Sequence, residues 1–196
     1  MQIDRKTDHI LDAALPVFVR FGFRKTSMAD IARAAEISRA SLYLTFNSKE
    51  DLFRAGSLRA HARTLAEVSA VLAGQGNAFD RIEGAIAVFQ RELISPFGGS
   101  DEANELFATN MALAADITTE ARVKLLGLLE QTLTVASQSH EIDLKPLQAQ
   151  PSQLAHLILA GVEGIKHSRK VGPNLEEETK LFMRLLRVAV TPQPRT

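Results

Sequence analysis

Residues 26–50 read TSMADIARAAEISRASLYLTFNSKE, and the reading of the whole chain grows from them. Met28, Ile31, Ala32 and Ala35 recur at helical spacing and give a first helix, over about residues 28–35, one apolar face. Ser27 stands before that run as a cap. Asp30 follows three residues later, where a negative charge suits a helix N-terminus. Glu36-Ile37-Ser38 makes the turn, with Ile37 as an apolar plug beneath it and Ser38 as the cap of a second helix over about residues 38–45. Leu42 and Phe46, four residues apart, turn that short helix back to a core. Arg39, Ser41, Tyr43 and Thr45 are left on or near its outer face, and Ala40 lets the backbone approach a surface closely. The pattern points to a helix-turn-helix suited to duplex DNA. Arg39 can fork onto guanine and Ser41 can meet a base edge. The hydroxyls of Tyr43 and Thr45 suit phosphate oxygens. Lys49, at the start of the next helix, adds an amine to a positive helix end.

Over roughly residues 5–60 the chain resembles the tetracycline-repressor (TetR) family of transcription regulators. The resemblance is carried by Phe21-Gly22, Thr26-Ser27-Met28, Asp30-Ile31-Ala32, Ser38, Leu42-Tyr43, Phe46 and Ser48-Lys49-Glu50-Asp51-Leu52-Phe53. With it, the candidate DNA-contacting residues are Thr26, Ser27, Ser38, Arg39, Ala40, Ser41, Tyr43, Thr45 and Lys49. Two positions depart from the family pattern. Glu36 stands where the family usually has Gly, at a helix end that often needs positive φ, and predicts a strained or reshaped turn. Ala40 stands where Gly is common and holds the backbone slightly further from DNA.

The chain has 196 residues, of which 45% are hydrophobic and 23% charged, an ordinary balance for a globular protein with a substantial core. No apolar run approaches the roughly 20 residues needed to span a bilayer, and MQIDRKTDH lacks a signal-peptide core. A cytoplasmic protein without a membrane partner is expected. The absence of cysteine excludes disulfides, thiol redox sensing and Cys-ligated zinc fingers. Formal net charge is zero, yet residues 1–60 carry ten Lys/Arg against seven Asp/Glu. A basic head on an acidic body presents one end to phosphate.

Apolar periodicity predicts an all-α chain of about nine helices: a three-helix DNA-binding head, 1–60, and a helical effector-binding and dimerisation body, 61–196. The first helix spans about Arg5–Phe21, kinked at Pro16 and ended by Gly22. The fourth runs from about Ser48 to Leu72 and connects head to body, with Gly74-Gln75-Gly76-Asn77 breaking it. Further helices are expected over about 78–94, 101–115, 119–138, 152–169 and 175–190. Breaks are expected at Ser95–Ser100, 139–151 and Gly172-Pro173-Asn174, with a frayed tail at TPQPRT.

On the eighth helix, Leu154, Leu157, Ile158, Gly161, Val162 and Ile165 mark one face. On the ninth, Leu181, Phe182, Leu185, Leu186, Val188 and Val190 cover more than one. Two faces need two partners, and the resemblance implies a homodimer through a four-helix bundle here. The candidate interface residues are Leu159, Gly161, Gly164, Phe182 and Leu186. His156, Glu163 and His167 share a side of the eighth helix, but their spacing suits a solvated polar face better than a metal site. No phosphate loop, nucleophile elbow or zinc-protease motif is present, so no enzyme and no cofactor are expected.

In the family, the body holds a pocket for a small-molecule effector that alters the spacing of the two heads. Here Asn110 and Arg122 are polar residues in apolar registers. A lining with Phe89, Phe107 and Met111 favours an apolar or amphipathic ligand. The leading expectation is a dimeric repressor released from operator DNA when an effector favours another tilt of the fourth helix. The rivals are a ligand-independent architectural DNA-binding protein and an all-helical enzyme. The enzyme would need a convergent cluster of titratable groups in the body, and none is legible.

Overall fold

A computed structural model describes residues 5–93, 101–167 and 175–192. All regular elements among them are helices: α1 (Arg5–Lys25), α2 (Met28–Ala34), α3 (Arg39–Tyr43), α4 (Lys49–Leu72), α5 (Ala78–Leu93), α6 (Asp101–Leu113), α7 (Ala115–Gln138), α8 (Pro151–His167) and α9 (Leu175–Val190). The chain is all-α, as its periodicity predicts. The breaks expected at Ser95–Ser100 and Gly172-Pro173-Asn174 lie outside the described residues. The regular helical backbone that starts at Arg5 is interrupted at Gly22, where its end is expected: the φ of 79° and ψ of 164° there are not helical. Positive φ is open to glycine without a Cβ penalty, whereas proline at 16 merely removes one helix hydrogen bond.

The helices pack into two compact units. The first comprises residues 1–64 and 90–121, the second 65–89 and 122–196. These packing units do not follow the charge-based division at residue 60, because α6 contributes to the first core. That core contains Ile10, Leu11, Ala14 and Phe18 of α1, Met28, Ile31 and Ala32 of α2, Leu42, Phe46, Leu52 and, from α6, Leu106. Phe23 and Phe53 cluster with Phe18 there, Phe23 stacked on it and Phe53 edge-on to both, with ring centroids 5.3–5.7 Å apart. Burying one such side chain stabilises by roughly 1.5–3 kcal/mol, so an anchor such as Leu42 is enough to seat a five-residue helix.

A buried arginine fastens α4 to α1 within this unit. Arg59 is 8% exposed, and its guanidinium reaches Asp8 Oδ1 at 2.8 Å and Asp12 Oδ1 at 2.7 Å.

The second unit has its own core. Phe79, Ile82 and Ile86 of α5 meet Leu125, Leu129 and Leu133 of α7 and Leu154, Ile158, Leu159 and Val162 of α8. Asn77 caps α5 by accepting from Asp80 N at 2.9 Å, so the predicted Gly-Gln-Gly-Asn break also starts the next helix. No helix among the described residues is long and apolar enough to cross a membrane.

Candidate nucleic-acid interface

Two caps build the motif. Ser27 has the extended backbone of an N-cap (φ −106°, ψ 162°). Asp30 N donates to Ser27 Oγ at 3.2 Å, while Ser27 N donates to Asp30 Oδ2 at 3.0 Å. This reciprocal box satisfies two amides that a helix start otherwise leaves open. Hydrogen bonds from Ser27 hold the Asp30 carboxyl below its ordinary pKa, with Arg33 adding to the effect. Ser38 supplies a simpler cap, accepting from Ser41 N at 3.0 Å at the start of α3.

Between the caps the chain turns at Glu36, whose φ is 54°. Glu36 N donates to Arg33 O at 3.1 Å and Ile37 N to Ala32 O at 3.0 Å. This pair of bonds defines a Schellman helix end, in which the residue in the left-handed region is usually glycine. The strained turn expected from Glu36 is therefore present.

Leu42 (fully buried) and Phe46 anchor α3. Ser38, Arg39 and Ala40 are exposed on its opposite side, with Tyr43 45% and Leu44 85% exposed. Ser41 and Thr45 are half-buried, and Thr45 Oγ1 donates back to Ser41 O at 3.5 Å. Two residues of α1 brace the motif from behind. Lys6 Nζ donates to Ser41 O at 3.3 Å, and His9 Nε2 lies 2.8 Å from Ala35 O.

Two of the residues expected at the surface point inward. Thr26 is 2% exposed, and its hydroxyl donates to Gly22 O at 2.7 Å. Lys49 lies half-buried at the start of α4, but its ammonium donates to Phe23 O at 2.7 Å and Thr26 O at 2.8 Å, 4.3 Å above the Phe23 ring. The two carbonyls and the ring hold the amine at the α1–α2 corner. The lysine expected to meet phosphate is thus engaged by carbonyls of its own chain. The outward residues that sequence reasoning passed over are Leu44 and the exposed Arg24. Leu44 was hidden by its apolar type, though its register two residues from both Leu42 and Phe46 already sets it apart from the core face.

The residues expected to line a ligand site are distributed between the units. Asn110, half-buried in the first, accepts from Ser57 Oγ at 2.8 Å and donates to Thr118 Oγ1 at 2.9 Å, so both ends of its amide are engaged. Phe107 and Met111, in the same unit, are 41% and 49% exposed. In the second unit Phe89 packs half-buried against the core, and Arg122 forms an ion pair with Glu163. The carboxylate that Arg122 meets in this structure is therefore an internal one.

Of the residues expected at a dimer interface, several pack within their own subunit. Leu159 is 1% exposed within its own subunit. Gly161 is covered by the Phe182 ring of the same chain, which a Cβ there would strike. Leu186 packs against the same core, and only Gly164 is open. The exposed apolar residues here are instead Leu157 of α8 and Leu181, Leu185 and Val188 of α9, which are 51–74% exposed. His156 is exposed with Nδ1 2.9 Å from Ser152 O, and the side chain of His167 lies outside the described residues.

Comparison with known proteins agrees with this geometry. A family model described as bacterial regulatory proteins, tetR family, matches residues 10–55. The uncharacterized HTH-type transcriptional regulator YfiR of Bacillus subtilis (strain 168) is 43% identical over 51 residues, 26% of this chain. That match spans only 25% of YfiR's own length. The HTH-type transcriptional repressor KstR2 of Rhodococcus jostii (strain RHA1) is 30% identical over 158 residues, covering 72% of this chain and 71% of KstR2. Among solved structures, SmeT, described as the repressor of the Stenotrophomonas maltophilia multidrug efflux pump SmeDEF, shares the fold with a TM-score of 0.70 at 20% identity. It covers 100% of this chain and 98% of its own, and SmeT has also been solved as a triclosan complex. The capped helix pair, the matched segment and the long alignment with KstR2 together place the chain in the tetR family of bacterial regulatory proteins.

Proposed function

We propose that this regulator binds operator DNA as a homodimer, that it represses, and that a small apolar or amphipathic molecule releases it. The observation that carries DNA reading is the outer face of α3. Arg39, Ala40, Tyr43 and Leu44 project from a segment pinned by Leu42 and Phe46, while Ser38 caps the start of its helix. Arg39 is the base-reading residue, forking onto guanine O6 and N7. Leu44 supplies apolar surface for a thymine methyl, and Ser38, Ser41, Tyr43 and Thr45 place hydroxyls near phosphate or base edges. Residues 1–60 act as the DNA-binding domain and 61–196 as the effector and dimerisation domain.

The dimer reading rests on Leu157, Leu181, Leu185 and Val188. Leu181, Leu185 and Val188 recur at i, i+4 and i+7 on α9, and solvent is a poor partner for so regular a row. Two heads related by a two-fold would meet half-sites about one helical turn apart. The effector acts by differential affinity for the operator-competent and incompetent states. SmeT's complex with a small molecule supports that part by fold likeness. The pairing of Asn110 and Arg122 within the protein favours the rival, ligand-independent reading.

The test is selection of bound duplexes from a randomised pool by the full-length chain. The expected result is a pseudo-palindrome whose half-sites lie about one turn apart. Recovery of duplexes with no common sequence would favour the architectural reading.

A further inference from the structure

The corner between α1 and α2 carries the amides and side chains that lead into the reading motif. Gly22 breaks α1 there, and residues 23–27 follow. Three contacts holding this corner come from the helix-turn-helix segment itself: the Thr26 hydroxyl on Gly22 O, and the Lys49 ammonium on Phe23 O and Thr26 O. A fourth comes from α6, 81 residues further along the chain. Arg24 N donates to Glu105 Oε1 at 2.7 Å. The other carboxylate oxygen sits against Gly22, where a Cβ would lie 2.5 Å from Oε2. The φ of 79° at Gly22 favours glycine, and its missing Cβ also leaves room for the carboxylate.

The far end of α6 is fastened as well, within the same packing unit. Arg54 of α4 donates to Leu113 O, and its two nitrogens fork onto Asp116 at 2.7 and 2.8 Å. Asn110 joins Ser57 of α4 to Thr118 of α7. Thus α6 is tied at its C-terminal end to α4 and, through Glu105, at its N-terminal end to the corner before α2.

Among the described residues, Glu105 has no cationic side chain within ion-pair distance. Its charge is used on a backbone amide beside the basic stretch Arg24-Lys25. Near a DNA-binding face, an otherwise idle carboxylate repels phosphate, and its removal tightens binding. We propose that Glu105 is instead a positioning residue for DNA reading: its carboxylate clasps the Arg24 amide, fixes the α1–α2 corner and so sets the presentation of α2 and α3. This rests on the DNA-binding reading. The clasp and the idle carboxylate predict opposite signs for the same deletion.

The experiment compares full-length wild type, Glu105→Ala and Glu105→Gln on the selected duplex and on random duplex, together with hydrogen exchange of the amides of residues 23–27. Glu105→Ala should bind the selected duplex about tenfold more weakly, the loss expected for one hydrogen bond to a charged group. Random duplex should lose less, and the Arg24 amide should exchange faster. Glu105→Gln keeps an acceptor oxygen without the charge and should restore both readouts toward wild type. Equal or tighter binding by Glu105→Ala overturns the proposal, whatever the exchange does. If the alanine variant does not fold, the wild-type Arg24 amide decides. Protection in the free protein supports the clasp, and exchange at the rate of an open amide overturns it. Wild type that binds no duplex at all overturns the DNA reading itself, an outcome distinct from the others.

Discussion

Replacing Glu36 by glycine should stabilise the protein, although it deletes a side chain and adds flexibility. Glu36 holds φ at 54° in the Schellman end of α2, with the Ile37 N to Ala32 O bond of 3.0 Å locking it there. A Cβ in the left-handed region costs about 1–2 kcal/mol. Glycine removes that cost but gives back about 0.4–1 kcal/mol through the greater freedom of the unfolded chain. The net is a stabilisation of about 0.5–1 kcal/mol. For a chain of this length that raises Tm by about 1–4 °C. The assay is thermal unfolding followed by circular dichroism for wild type, Glu36→Gly and Glu36→Ala. The alanine variant removes the same charge but keeps the Cβ, so it should show no gain. Both variants should bind random DNA equally well, since both remove one negative charge near the reading helix. A Glu36→Gly protein no more stable than Glu36→Ala would refute the strain argument and mean that the turn relaxes around its glutamate.

Other perturbations follow from the placements above. Lys49→Ala should cost about 1.5–3 kcal/mol in urea unfolding, the scale of hydrogen bonds to a charged group, while leaving the salt slope of DNA binding unchanged. A slope lowered by about one unit per head would restore Lys49 as a phosphate contact. Asp116 is held down to about 2, chiefly by its hydrogen bonds with Arg54. A depressed carboxyl contributes stability above its unfolded pKa of about 3.9 and loses it as pH falls through the folded value. Wild type should therefore exceed Asp116→Asn in urea midpoint at pH 5–7, with the gap closing by about pH 2. A gap that does not change with pH would contradict the pairing. Leu185→Asp should yield folded monomers in sedimentation, whereas Gly161→Leu should unfold more easily because it strikes Phe182 of its own subunit, at a typical overpacking cost of about 1–3 kcal/mol. The reverse pattern would put Gly161, not Leu185, at the subunit boundary.

Local signals made much of this molecule legible. Ser27 with Asp30, and Ser38 three residues before Ser41, act over a single helical turn, so their caps can be read from spacing alone. The same holds for Leu42 and Phe46 as anchors and for Glu36 as a strained turn. Contacts made with backbone atoms were hidden. The carbonyls that capture Thr26 and Lys49 belong to Gly22, Phe23 and Thr26, and a carbonyl leaves no trace in residue type. Long-range pairs were hidden for a related reason: Arg122 meets Glu163 and Arg24 N meets Glu105 only after the helices pack. On α8 the difficulty is angular. Leu157 and Leu159 lie two positions apart, about 200° around the helix, and periodicity alone does not say which side its own subunit covers.

The central claim is that α3 reads base sequence through Arg39. Its most direct test is the affinity of Arg39→Ala, against wild type, for the selected duplex and for random duplex at one fixed salt concentration. The expected loss is about 1–3 kcal/mol on the selected duplex, the scale of one bidentate base contact, with a much smaller change on random DNA. An equal loss on both would make Arg39 a phosphate contact and contradict the claim.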